Sequence, residues 1–120
     1  MSSNADDKPH ILCVSWDRSL AETRELLLKQ SGYTVTSALR EKESFEKCRT
    51  KADLLLLGHS VPREEKQKIL ERFRKFNTSP ALSLLSPGQS KLPDVEYAVE
   101  YMDPPKLLST IQQIIPYREI

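Results

Sequence analysis

Hydrophobic and polar positions alternate along this chain between two periods. His10–Trp16 (HILCVSW) is a short apolar run closing on polar residues, which predicts a buried strand. Asp17 or Ser19 then opens a helix as N-cap, and Leu20, Ala21, Leu27 and Leu28, seven apart, give it one apolar stripe. Gly32 ends that helix, and the β-branched alternation from Tyr33 to Ala38 predicts a second strand. Glu41–Lys51 is charged except for Phe45 and Cys48 and predicts a short surface helix. Four consecutive leucines between Asp53 and Gly58 predict a central parallel strand covered on both faces.

Beyond Pro62, Arg63–Phe76 carries a helical stripe of Ile69, Leu70, Phe73 and Phe76. Ala81–Leu85 is a fourth strand and Tyr97–Met102 a fifth. Between them Ser86–Glu96 holds two prolines and a glycine, which argue against a full helix. Pro104 and Pro105 suit the first turn of a last helix, with Leu108, Ile111, Ile114 and Ile115 as its expected buried face. Five strands alternating with helices imply a parallel sheet wrapped on both sides. The turn after the first strand, Ser-Trp-Asp-Arg-Ser, lacks the glycines of a dinucleotide-binding loop.

At 120 residues the chain fits one domain, read as a loose polar tail over 1–7 and a folded unit over 8–120. A net charge of +1 gives no field that would draw it to nucleic acid or an anionic membrane. No apolar stretch approaches the roughly 20 residues of a membrane span, and the acidic opening is unlike a signal peptide, so a cytoplasmic location is expected. Cys13 and Cys48 are read as buried free thiols, since neither His10 nor His59 stands at a metal-ligand spacing from them.

Four strings, in order and at suitable spacing between Lys8 and Pro116, resemble the receiver domain of two-component response regulators. They are Ile11-Leu-Cys-Val-Ser-Trp-Asp17, Ser31-Gly-Tyr-Thr-Val-Thr-Ser-Ala38, Asp53-Leu-Leu-Leu-Leu-Gly-His-Ser-Val-Pro62 and Tyr101-Met-Asp-Pro-Pro-Lys-Leu-Leu108. The resemblance implies a flavodoxin-like, doubly wound α/β fold with strand order 2-1-3-4-5, its fourth helix shortened or lost. In that family an aspartate accepts a phosphoryl group beside Mg²⁺ held by acids, a lysine contacts the phosphate, and a hydroxyl responds by moving.

This chain departs from each of those positions. Gly58 falls at the acceptor, and Ser15 and Trp16 fall at the paired acids, leaving Asp17 nearby. The switch hydroxyl falls on Leu85, or on Ser86 with a slip. The lysine falls on Pro104, or on Asp103 with a gap, and Lys106 reaches it only with a local shift. The implied domain is a pseudo-receiver: a phosphorylation-independent interaction module with no catalytic residue, metal or cofactor. Its expected partner is another signalling protein or a second copy, met through Val95–Ile115.

Several residues admit two readings. Gly58 is a gap for a small ligand or, more economically, a relaxed turn at a strand end. Trp16 folds over the former metal pocket or stands out as a partner anchor. His59 is a phosphorylation site or a metal ligand with Asp17 and Asp103, or more simply a solvated side chain. The charges of Arg63–Lys75 dock a partner or, more simply, form a solvated face. An enzyme-class alternative has Asp17, His59, Ser60, Ser86 and Asp103 converge at the carboxyl ends of the strands.

Overall fold

A computed structural model describes residues 8–116. The expected tail, 1–7, lies outside the described residues. Nine elements follow in order: β1 (His10–Val14), α1 (Arg18–Gln30), β2 (Thr34–Ala38), α2 (Glu41–Lys47), β3 (Leu54–Leu57), α3 (Arg63–Phe76), β4 (Ala81–Leu85), β5 (Tyr97–Glu100) and α4 (Pro104–Ile114). All strand pairings are parallel, in the order β2-β1-β3-β4-β5. This is the flavodoxin-like arrangement. β4 and β5 are joined without a helix, so four helices rather than five cover the sheet.

The sheet separates two cores. On one face Leu12, Val14, Leu55 and Leu57 meet Ile69, Leu70 and Phe73 of α3, with Phe45 of α2 packed alongside. On the other, Ile11, Cys13, Leu54, Leu56, Leu82 and Leu84 meet Leu28 of α1 and Leu107 and Ile111 of α4. The four leucines of β3 therefore alternate between the two cores and are all buried, as a central strand requires. Cys13 and Cys48 are free and buried in opposite cores. Burial pushes each thiol up to about 11.

The connection from Ser86 to Glu96 takes over part of the packing a helix would supply. Leu92 and Val95 join the first core. Two arginines of α3 fasten the segment: Arg63 Nη1 donates to Ser90 O at 2.9 Å, and Arg74 Nη2 reaches both carboxylate oxygens of Glu96 at 2.8 and 3.0 Å. Glu96 also accepts from Ala81 N at 2.9 Å. Farther along, Asn77 closes α3 against the α2–β3 loop, accepting from Ala52 N and donating to Cys48 O and Thr50 O.

Some expected boundaries and faces shift. β1 stops at Val14, and α2 and β5 stop at Lys47 and Glu100, where turns begin. In α4 the buried positions are Leu107 and Ile111, whereas Leu108, Ile114 and Ile115 are only partly buried. Leu107 thus takes the place of Leu108 beside Ile111 at the deepest point of the face. Phe76, the last residue of α3, is exposed and lies under the Arg49 guanidinium, 5.7 Å away.

Candidate functional site

The carboxyl ends of β1, β3, β4 and β5 gather most residues singled out from the sequence. Ser15 follows β1 and is buried; its hydroxyl lies 3.2 Å from Ser60 Oγ and from both Asp17 N and Asp17 O. Ser60 Oγ also accepts from Trp16 N at 3.0 Å, which ties the turn after β1 to the turn after β3. Trp16 is half-buried against the core that holds α2 and α3. The Asp17 carboxylate is the N-cap of α1, accepting from Leu20 N at 3.0 Å.

Gly58 follows β3 as the strand-end position expected, but it is buried and its φ is not positive. Its reason is close approach. A Cβ at this position would stand 3.0 Å from Val14 O, 3.1 Å from Arg24 Nη1 and 3.3 Å from Ser15 Cβ. Arg24 reaches this point from the middle of α1 and is only 7 % exposed. Its Nη1 is buried without a hydrogen-bond partner, and Nη2 donates to His59 Nδ1 at 3.3 Å. Burial pulls the guanidinium below its ordinary value, with Cys13 and Asp17 opposing.

His59 is not the solvated side chain expected. It is half-buried and stacks on Tyr101 with ring centroids 3.8 Å apart. Burial, then the charges of Arg24 and Lys66, hold its pKa below the ordinary histidine value. The ring is therefore held neutral, with Nδ1 accepting from Arg24 and its proton on Nε2.

Lys66 was expected on a solvated helix face, but it is 4 % exposed. Its ammonium donates to Ser83 Oγ at 2.8 Å and to Leu84 O at 2.9 Å. Burial, then Arg63, pulls its pKa down to about 8.

The remaining expected positions do other work. Leu85 ends β4 and accepts from Tyr101 N through its backbone, while Ser86 N donates to Gln89 Oε1 at 2.7 Å. Asp103 caps α4 by accepting from Lys106 N at 3.1 Å, Pro104 occupies the first turn, and Lys106 is exposed. Among the described residues no hydrogen bond joins any two of Asp17, His59, Ser60, Ser86 and Asp103. Nor are three His, Cys, Asp or Glu side chains gathered to hold a metal ion among the described residues. No helix among them is long and apolar enough to cross a membrane.

Sequence reasoning missed Arg24, Lys66 and Ser83. A signal was present: Arg24 lies on the same stripe as Ala21 and Leu28, and Lys66 on the same stripe as Ile69, Leu70 and Phe73. A buried charge needs polar partners, and here Arg24 Nη2 meets His59 just after β3 while Lys66 meets Ser83 and Leu84 within β4.

No family model matches the chain, and no curated protein matches it. Solved structures do. A two-component response regulator from Clostridium difficile superposes with a TM-score of 0.77 at 17% identity, over 90% of this chain and 96% of that one. A CheY-like response regulator receiver domain protein from Methanospirillum hungatei gives 0.75 at 20%, over 88% and 92%. A response regulator receiver protein from Burkholderia phymatum gives 0.76 at 13%, over 92% and 98%. The chain has the CheY-like fold of response-regulator receiver domains.

Proposed function

We propose that this chain is a receiver-like signalling domain that works as a phosphorylation-independent protein–protein interaction module. The observation that carries this reading is the crowding at Gly58. In the register of the resemblance, residue 58 is the phosphoryl acceptor, yet it bears no carboxylate, and Arg24 Nη1 and Val14 O take the space of a side chain. Ser15 and Trp16 offer no acid for a cation, and Asp17 is engaged at the start of α1. A buried guanidinium thus stands beside the position at which a receiver would carry its acceptor carboxylate.

Binding is the activity left to such a domain. The surface over Val95–Ile115 is the favoured face: Tyr97 and Met102 are 40 % and 69 % exposed there. Lacking a helix between β4 and β5, this face differs in shape from that of a five-helix receiver. The partner is a second copy or another protein of the same signalling system. Sedimentation velocity over a concentration series, with and without acetyl phosphate and Mg²⁺, tests the first. The reading predicts association that acetyl phosphate leaves unchanged and that Met102→Glu weakens. Association that appears only with acetyl phosphate would contradict it.

A further inference from the structure

The β4–β5 connection leaves a cavity of about 320 Å³ between itself and the start of α3. That is near the lower end of the range for small-molecule sites. Two of its lining residues, Arg63 and Lys66, are cationic, and none is acidic. The Lys66 ammonium meets only neutral acceptors, Ser83 Oγ and Leu84 O. Among the described residues the ion pairs are Lys29–Glu25 and Arg74–Glu96, so no carboxylate neutralises Lys66 or Arg63. Glu65, in the first turn of α3, is directed at Glu41 of α2.

Arg63 Nη1 holds Ser90 O, and the other donors of its guanidinium remain for a further acceptor. Ser83 accepts from Lys66, which leaves its own O–H to donate. Burial and the charge of Arg63 both work against the Lys66 ammonium. An anion between the two cations would reverse that cost, because a buried charge is stable only when it is paired and hydrogen-bonded. Two positive charges match a dianion better than a monoanion.

We propose that this cavity binds a small tetrahedral oxyanion, a phosphate or sulfate group, between Lys66 Nζ and the Arg63 guanidinium, with the Ser83 hydroxyl donating to it. The site is separate from the turn at Gly58: no residue of 58–60 lines the cavity. It stands independently of the interaction-module reading.

The test is an amide NMR titration of the whole chain with inorganic phosphate, sulfate and acetate at constant ionic strength. Saturable shifts at Lys66, Ser83 and 88–90 are expected with phosphate and sulfate, and weaker ones with acetate. Lys66→Met should weaken phosphate binding at least about tenfold. Arg63→Gln, at an exposed position that leaves the core intact, should weaken it several-fold. Shifts that stay linear, equal affinity in both variants, or perturbations centred on 58–60 would each overturn the proposal.

Discussion

Arg24 Nη1 lies 3.1 Å from the point where a Cβ on residue 58 would stand, so the guanidinium and the glycine are a matched pair. The arginine fits because the glycine is bare. The glycine is required by this close approach, not by a positive φ.

Gly58→Ala should therefore destabilise the fold, by about 1–3 kcal/mol, as overpacking does. Val14 O is backbone and cannot move aside. Urea denaturation measures the loss. Arg24→Ala in the same chain should recover part of it, and the double-mutant cycle would show coupling between the two positions.

His59 should titrate below the ordinary histidine value, and Arg24→Ala should raise it. Below pH 6.5 the unfolded chain takes up a proton at this residue before the folded one does, so His59 lowers stability as pH falls. Ring-proton NMR of the two proteins against pH measures both values.

Lys66 carries a pH signature at the other end of the scale. Its pKa falls from 10.5 to about 8 on folding. Between those values the unfolded chain keeps a proton that the folded chain has shed, so this residue makes stability rise with pH, by about 3 kcal/mol across the window. The thiols of Cys13 and Cys48 act in the opposite sense above pH 9, because their folded values are about 11. Lys66→Met cancels the thiol contribution on comparison. The stability difference between the two proteins should move in favour of the wild type as pH rises from 8 to 10.5, as thermal denaturation across that range would record.

Asn77 is buried with three hydrogen bonds to the α2–β3 segment. Asn77→Ala should cost about 1–3 kcal/mol by leaving Ala52 N, Cys48 O and Thr50 O unpaired. Amide exchange at Ala52 should quicken in the variant.

The parallel sheet and the missing helix were legible because apolar period and proline placement report directly on both, whereas the strand order followed only from the family resemblance. The run Leu54–Leu57 is apolar on both faces, and Pro87 and Pro93 interrupt the β4–β5 segment. The strand-end glycine and serines were also legible as positions. Their contacts were not. Arg24 and Lys66 come from helices far away in the chain, and their side chains bridge |i−j| separations that no local pattern encodes: 35 residues from Arg24 to His59 and 17 from Lys66 to Ser83. The stacking of His59 on Tyr101 is likewise a product of packing, so a histidine read locally as solvated became a fixed neutral ring.

The most direct measurement is intact-mass spectrometry after incubation with acetyl phosphate and Mg²⁺. Gly58, Ser15 and Trp16 supply neither an attacking carboxylate nor acids for the cation, so the mass should stay that of the unmodified chain. An acid-stable, base-labile phosphoryl adduct mapped to an aspartate at the strand ends, Asp17 or Asp103, would contradict the reading.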